Sequence, residues 1–191
     1  MARLESPDEV LVMGAILGDL EAFEELVLRY RAAVVRLART IVGNDYAEDV
    51  AQDALLLAFK ALPTIEEPNK FAAWLSAITR HRAFRFNKRE TAQLGKRVGM
   101  DEVLIENIDA LATPFVEANE NEEVLSALES LPEDYALPLR LRFLDEMPIK
   151  RIAAFMNLPL STVKWRLHHG KKLMKETLLQ NGSGATEFKS R

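Results

Sequence analysis

Apolar residues recur at helical spacing along most of the chain, and no segment of alternating polarity predicts a strand. From about Asp19 to Val42 they fall every three or four residues, as on one face of a long helix. Gly43-Asn44 predicts the end of this helix, and Asp45 with Glu48 predicts the start of another that runs through about Ala61. The pattern therefore indicates an all-α fold.

Two further helices complete the first half of the chain. Ser6-Pro7-Asp8-Glu9 is typical of a helix start, with Ser6 as the N-cap and Pro7 in the first helical position. After a loop between Pro63 and Pro68, Asn69 predicts the cap of a helix with one apolar face: Phe71, Trp74, Leu75 and Ile78. We predict a helical domain over residues 1–90.

The second half begins where the helical period weakens. Residues 91–121 are rich in Gly, Asn, Asp and Glu, which predicts a flexible acidic linker with at most one short helix. Residues 122–180 regain the helical period and predict a second small domain, in which Pro138 either kinks a helix or marks its start. The tail, residues 181–191, is predicted to be disordered.

A helix-turn-helix is predicted from Pro148 to Lys175, because two short helices are separated by a break at Leu158-Pro159 and Ser161 can cap the second. The apolar positions predict buried side chains at Ile149, Ile152, Ala153 and Met156 in the first helix, and at Val163, Leu167, Gly170 and Met174 in the second. The outward face then carries Thr162, Trp165, Arg166, His168, His169 and Lys172.

The distribution of charge along the chain indicates what these helices bind. The whole chain has a net charge of -4, yet residues 148–175 hold seven Lys or Arg and no acid. Residues 79–97 hold seven Lys or Arg against Glu90 alone, and residues 101–134 hold eleven acids and no base. A basic amphipathic hairpin can be only a solvated face, but two basic patches on an acidic chain favour two contacts with a nucleic-acid backbone.

Composition argues against an enzyme. The chain has no cysteine, and its three histidines, His81, His168 and His169, lack metal-ligand spacing. No glycine-rich phosphate loop or nucleophile motif is found, so we expect neither a cofactor nor a metal. No apolar run reaches the length of a membrane span, and the first residues lack a signal-peptide core, so a cytoplasmic location without membrane insertion is expected.

Three stretches of the chain closely resemble bacterial RNA polymerase sigma factors of the extracytoplasmic-function (ECF) group. In chain order they are YAEDVAQDALLLAFKALP, FAAWLSAITRHRAFRFNKR and SLPEDYALPLRLRFLDEMPIKRIAAFMNLPLSTVKWRLHHGKKL. The resemblance covers residues 19–90 and 122–178, and the last stretch is the most specific. It implies a sigma factor that binds core RNA polymerase and directs promoter-specific transcription initiation by recognising −35 and −10 DNA elements.

The resemblance also assigns roles within the N-terminal domain. The polymerase-binding surface falls on one side of a helix, at Asp49, Gln52, Asp53 and Leu56, with Val50, Ala54, Leu57 and Ala58 turned inward. The family's loop that captures an unstacked base of the −10 element falls on Thr64 to Lys70. Its candidate contacts, with those of the basic helix that follows, are Thr64, Asn69, Lys70, Arg80, Arg82, Arg85 and Lys88. Trp74 is either a stacking platform for that base or a core residue.

The −35 element would be read by the second helix of the helix-turn-helix. Its candidate contacts are Ser161, Thr162, Lys164, Trp165, Arg166, His168, His169, Lys171 and Lys172. Arg166 is expected to make the bidentate contact to guanine, and the lysines are expected to contact phosphates. Trp165 stands where the family usually has a small or polar residue, so it either contacts a thymine methyl or covers a neighbouring helix. Lys150-Arg151, Pro148, His81 and Phe84-Arg85 also depart from the usual pattern.

The acidic linker has two interpretations, a solvated tether or a segment that threads the RNA path of polymerase. As a coil it spans about 30 Å, whereas two promoter elements two helical turns apart are about 70 Å from one another. The isolated protein is thus expected to bind the full promoter weakly, and the linker is a candidate for autoinhibitory docking on the basic patches. The family commonly uses an anti-sigma factor, so such a partner is expected. The rival classes are a helix-turn-helix repressor and an adaptor that imitates a sigma factor.

Overall fold

The computed structural model describes residues 6–97 and 120–187, with side chains described for residues 6–90 and 123–179. Within these residues the chain forms eight α-helices and no strand. The helices are α1 (Asp8–Ile16), α2 (Leu20–Val42), α3 (Asn44–Ala61), α4 (Phe71–Arg97), α5 (Glu120–Glu129), α6 (Glu133–Phe143), α7 (Ile149–Met156) and α8 (Leu160–Glu187). Two 3-10 turns, Leu62–Thr64 and Pro68–Lys70, lie between α3 and α4.

Helix α2 is the centre of the N-terminal half, where it packs against α1, α3 and α4. Its start is stabilised by Asp19, whose carboxylate accepts a hydrogen bond from the Ala22 N–H at 3.2 Å. Its end is set by Gly43, whose φ of 79° lies in the left-handed region that favours glycine. The predicted bounds of α2 and α3 are therefore confirmed to within one residue.

The predicted starts of α1 and α4 differ from the structure by one or two residues. Helix α1 begins at Asp8 without a side-chain cap, and the Ser6 carbonyl instead accepts a hydrogen bond from Arg29 Nη1 at 2.7 Å. Asn69 lies inside the 3-10 turn before α4 rather than at its cap. A long-range arginine contact has thus replaced the local capping box that the sequence favours.

In the C-terminal half, α6, α7 and α8 form the helix-turn-helix and the helix behind it. Pro138 neither starts nor ends α6, because it lies inside that helix and is buried. Asn157 adopts a left-handed conformation (φ 54°, ψ 47°) that ends α7, and α8 begins three residues later. Since α8 starts at Leu160, Ser161 lies inside its first turn and is not the predicted N-cap.

The predicted inward face of the helix-turn-helix is only partly correct. Ile152, Ala153, Val163, Leu167 and Gly170 are buried, whereas Ile149, Met156 and Met174 are half-buried. Phe155 was not predicted to be inward and is 1% exposed. Its ring contacts Tyr30 of α2, which identifies a second packing surface on α7.

The two halves pack against each other through this surface. Phe155 stacks on Tyr30 of α2 with ring centroids 6.0 Å apart, and Tyr30 also meets Phe71 of α4 edge-on at 5.6 Å. Buried apolar residues of both halves form one continuous cluster. The sequence predicted two helical domains, and the structure adds that their cores are in contact.

Some predictions concern residues at the edge of the described ranges. Helix α4 continues through Arg97, and α8 continues through Glu187, so residues 91–97 and 181–187 are helical where a linker and a disordered tail were predicted. The remaining linker, residues 98–119, lies outside the described residues, as does the end of the tail, residues 188–191. Residues 120–121, at the other end of the predicted linker, belong to α5, so only the predictions about residues 98–119 lie outside the described residues.

Candidate promoter and polymerase surfaces

The exposed face of α8 carries most of the side chains predicted to read a DNA duplex. Lys164, Trp165, His168, Lys171 and Lys172 are exposed, and Ser161 is exposed in the first turn. Thr162 and His169 are half-buried. The first turn of α8 is thus only partly exposed, because Val163 is buried behind it.

Arg166 does not lie on this exposed face. Its guanidinium donates to the Asp134 carboxylate of α6, with Nη1 2.8 Å from Oδ1, and its side chain is 20% exposed. Arg166 also lines a cleft of about 470 Å³ with Arg80 of α4. The prediction that Arg166 faces outward is therefore wrong for this conformation, because an acid in the first turn of the neighbouring helix holds the guanidinium.

Trp165 is part of an aromatic stack that the sequence did not predict. Its indole lies almost parallel to the His169 imidazole, with centroids 5.1 Å apart and an angle of 8°. Tyr135 of α6 contacts both rings, at 6.0 Å from Trp165 and 5.4 Å from His169. Trp165 is nevertheless 55% exposed. The indole thus covers a neighbouring helix with one part of its surface and presents the rest to solvent.

A basic groove lies on the other side of α8. It has a volume of about 370 Å³ and is lined by Arg142, Phe143, Ile149, Lys164, Leu167, His168 and Lys171. The Lys171 ammonium lies 4.5 Å from the centre of the Phe143 ring, a cation–π contact. His168 lines this groove whereas His169 stacks on Trp165, so the two histidines face different sides of α8. Neither is part of a cluster of metal ligands in the described residues.

The predicted base-capturing loop borders a cleft of about 530 Å³. Thr64, Lys70 and Trp74 line it, and Asn157 from the helix-turn-helix closes one side. The loop is held by local bonds, since Thr64 Oγ1 donates to the Ala61 carbonyl at 2.7 Å and Lys70 Nζ is 2.7 Å from Glu67 Oε1. Trp74 is half-buried. It packs on Phe71 at 5.9 Å and also forms part of the cleft wall, so both predicted roles are compatible with its position.

In the basic run of α4, some side chains are exposed and others are held by contacts with neighbouring residues of the protein. Arg85 and Lys88 are exposed, while Arg80 is half-buried and donates to Ser76 Oγ at 3.1 Å. Arg82 forms an ion pair with Asp53 of α3. The family resemblance assigned Arg82 to DNA and Asp53 to polymerase, and the ion pair brings these two side chains together.

The candidate polymerase face of α3 is more apolar than predicted. Asp49, Gln52 and Leu56 are exposed and Asp53 is half-buried, so these four residues share one side of the helix. Leu57 was predicted to face inward but is 43% exposed. Three consecutive leucines on one helix cannot all face the core, so the sequence already indicated that at least one of them is exposed.

Among the described helices none is long and apolar enough to cross a membrane.

Two family models match the chain, one in each half. The Sigma-70 region 2 model matches residues 26–93, which include the base-capturing loop and the basic run of α4. The Sigma-70 region 4 model matches residues 121–174, which include the helix-turn-helix. Together the two matches cover more than half of the chain, and the candidate surfaces described above lie within them.

Curated relatives match over nearly their whole length. The ECF RNA polymerase sigma-E factor of Escherichia coli strain K12 is 30% identical over 177 residues, covering 86% of this chain and 91% of the relative. The ECF RNA polymerase sigma factor SigW of Bacillus subtilis strain 168 is 27% identical, covering 84% of this chain and 91% of the relative.

Solved structures support the fold. CnrH, solved with the cytosolic domain of CnrY, matches with a TM-score of 0.56 and 23% identity over 91% of this chain and 97% of CnrH. RpoE of Bartonella quintana, solved with the anti-sigma factor NepR, matches with a TM-score of 0.51 and 23% identity over 82% of this chain and 96% of RpoE. At this identity the two structures show a shared fold.

Proposed function

The chain belongs to the ECF group of RNA polymerase sigma factors, and from this premise we propose how its surfaces divide the work of transcription initiation. A sigma factor binds core RNA polymerase and directs it to promoters by recognising two DNA elements. We assign the −35 element to α8, the −10 element to the loop between α3 and α4 with the following basic helix, and core polymerase to α3.

The observation that carries this assignment is the exposed basic face of α8 behind its left-handed turn. The first turn of α8 offers unpaired backbone N–H groups to a phosphate, and Lys164, Lys171 and Lys172 supply positive charge beside it. Trp165 presents apolar surface to the groove at the same level of the helix, where a thymine methyl is the matching group. This face therefore sets the position of polymerase on the promoter.

The −10 element is opened and held by the N-terminal half. Thr64, Lys70 and Trp74 form the wall of the cleft that belongs to the N-terminal half, and a base turned out of the duplex would lie against the apolar surface of Trp74. Arg85 and Lys88 are exposed on α4 and contact the phosphates of the opened strand. We thus assign melting of the duplex and capture of a base to the N-terminal half, and the placement of polymerase on the promoter to α8.

Core polymerase is assigned to the exposed side of α3. Asp49 and Gln52 supply polar contacts, and the exposed leucines Leu56 and Leu57 beside them supply apolar area that a monomer leaves uncovered. The protein thus acts as an initiation factor for polymerase. An anti-sigma factor is proposed as a further partner, since the RpoE relative was solved with one.

The polymerase assignment is tested by capture of core RNA polymerase on the immobilised protein. Asp49→Ala/Gln52→Ala should weaken capture at least about tenfold, in line with the loss of hydrogen-bonded contacts at a protein interface. Lys60→Ala, on an exposed position of the same helix, is the matched control and should bind as the wild type does. Equal capture by the double variant and the wild type would remove α3 from the polymerase surface.

The −35 assignment is tested by transcription from a set of promoters that differ at one base pair each. To reach a base edge the Arg166 guanidinium must leave Asp134, and Arg166→Ala should then lose discrimination at one base pair, worth about 1–3 kcal/mol. Lys175→Ala, exposed about two and a half turns further along the same helix, should weaken all promoters alike, as a phosphate contact does. An unchanged base preference in Arg166→Ala would show that Arg166 does not read the duplex.

A further inference from the structure

Two side chains of α8, Trp165 and His169, form a stack that is held in place by a third ring from another helix. They are four residues apart, so they lie on the same side of α8, and their rings are nearly parallel, with centroids 5.1 Å apart. Tyr135 of α6 meets the indole at an angle of 52° and the imidazole at 46°. The indole of Trp165 is therefore held by two rings although it is 55% exposed.

Gly170 allows α6 to come close enough to α8 for this contact. A Cβ added at Gly170 would lie 3.2 Å from the Tyr135 Cβ and 2.9 Å from Leu139 Cδ1, so no side chain separates the two helices at this point. The Tyr135 ring can therefore reach Trp165 and His169, which precede Gly170 by five residues and by one. The position of Tyr135 is thus fixed by the packing of α6 on α8.

The first turn of α6 acts in opposite ways on two consecutive residues of α8. Asp134 holds the Arg166 guanidinium, and the arginine side chain is 20% exposed. Tyr135, the next residue of α6, contacts Trp165, the preceding residue of α8, and leaves more than half of it exposed. In this conformation the indole, and not the guanidinium, is the side chain that α6 leaves available to DNA.

Trp165 differs in chemistry from its exposed neighbours on α8. Within residues 161–175, all of which the structure describes, the other exposed side chains are polar: Ser161, Lys164, His168, Lys171, Lys172 and Lys175. Such groups suit phosphates and the hydrogen-bonding edges of bases. The major groove offers one apolar group, the 5-methyl of thymine. Contact with that methyl is therefore how the apolar face of an indole can distinguish one base from the other three.

We propose that the indole of Trp165 selects thymine at one position of the −35 element through its 5-methyl group, and that Tyr135 is the positioning residue for this selection. This inference rests on the proposed function, which assigns α8 to the −35 element. Ordering a side chain at an interface costs affinity, so a ring that is already held binds the methyl more tightly than a loose one. A loose indole would also contact the methyl in only some of its rotamers.

Promoters that differ by single methyl groups test the selection of thymine. The parent promoter is one that polymerase holoenzyme containing the wild-type protein selects from a randomised library. Each thymine of its −35 element, on either strand, is replaced in turn by deoxyuridine, which lacks only the 5-methyl. One replacement should weaken binding by the wild-type holoenzyme about fourfold, as expected when one methyl group loses contact with apolar surface. With Trp165→Ala the affinities for this promoter and its parent should be equal.

Replacements of Tyr135 test its positioning role in the same assay. Tyr135→Leu and Tyr135→Met keep apolar volume on α6 but remove the ring, so the affinity ratio between the thymine and deoxyuridine promoters should fall below about twofold. Tyr135→Phe keeps the ring and is the matched control, which should keep the fourfold ratio. A purely structural role would weaken binding to both promoters alike. An unchanged ratio in whichever of the Leu and Met variants folds would overturn the positioning role.

The restraint on the indole is measured in the free protein by the decay of its fluorescence anisotropy. The chain has two tryptophans, so Trp74→Phe leaves Trp165 as the single one. Exposed side chains change rotamer within picoseconds to nanoseconds, whereas the held indole should turn only with the whole molecule. In this background Tyr135→Leu should add a fast component to the decay and Tyr135→Phe should not. A fast component of equal size with Tyr, Phe or Leu at this position would contradict the restraint.

Failure of the proposed function would give a different result. A holoenzyme that binds the selected −35 element no better than a scrambled one would remove α8 from the −35 contact. If that preference is present but no thymine can be replaced by deoxyuridine with a loss of affinity, the selection of thymine is overturned. The same holds if Trp165→Ala retains every loss that the wild type shows, or if the selected element contains no thymine on either strand.

Discussion

Replacing Tyr30 with phenylalanine should separate the hydrogen bond at the interface from the apolar contact. The ring remains, so its packing against Phe71 and Phe155 is kept, while the hydrogen bond to the Asp8 carboxylate is lost. A hydrogen bond to a charged group is worth about 1.5–3 kcal/mol. At pH 7 we expect Tyr30→Phe to lower the free energy of unfolding by about 2 kcal/mol in urea titrations.

The same variant should show a distinctive dependence on pH. Burial raises the pKa of the Tyr30 hydroxyl, and the charge and hydrogen bond of Asp8 raise it further. In the unfolded chain this tyrosine loses its proton near pH 10, so above that pH the unfolded state binds fewer protons and the wild type loses stability as pH rises. Tyr30→Phe lacks this loss. The difference in free energy of unfolding between the wild type and Tyr30→Phe should therefore shrink by about 1.4 kcal/mol between pH 8 and pH 11.

Taking the difference between the two proteins removes the contribution of every other group that titrates in this range. Tyr46→Phe is the control at neutral pH, because that tyrosine is 43% exposed on α3, and it should change the free energy of unfolding by less than about 0.5 kcal/mol. If the difference in free energy of unfolding between the wild type and Tyr30→Phe stays constant from pH 8 to pH 11, the Tyr30 hydroxyl is not buried in its protonated form between the halves.

Three further variants test other contacts. Gly170→Ala should lower the free energy of unfolding by about 1 kcal/mol in urea, because its added Cβ would lie 2.9 Å from Leu139 Cδ1 and overpacking outweighs the gain in helix propensity; a more stable variant would contradict this packing of α8. A double-mutant cycle on Arg82 and Asp53 should give a coupling below about 1 kcal/mol, since the pair is partly exposed, and a larger coupling would mark a structural role. Lys88→Ala should reduce the salt dependence of promoter binding by polymerase holoenzyme by about one phosphate contact, whereas an unchanged slope would exclude this lysine from the DNA surface.

Much of the fold follows from local sequence signals. The long apolar stripe of α2, the Asp19 cap and the glycine at its end fix the bounds of that helix, because every determinant lies within a few residues. The break at Leu158-Pro159 likewise predicts the turn of the helix-turn-helix. The Ser6 cap fails for the opposite reason, since its backbone is engaged by Arg29, 23 residues away in sequence.

The candidate site could be predicted only in part, because several of its side chains depend on contacts between helices. Lys164 and Lys172 are exposed as their positions on the helix predict. Arg166 is not, because Asp134 lies within reach only after α6 packs on α8. The enclosure of Phe155 also has no local signal, since its partner ring, Tyr30, belongs to the other half of the chain.

As a sigma factor, this chain should supply promoter specificity to RNA polymerase. This role is tested most directly by run-off transcription with purified core polymerase on a library of randomised promoters, with and without the protein. Transcripts should require the protein and should start at a fixed distance from one pair of short motifs about two helical turns apart. Transcripts that are the same in number and start site without the protein would contradict it.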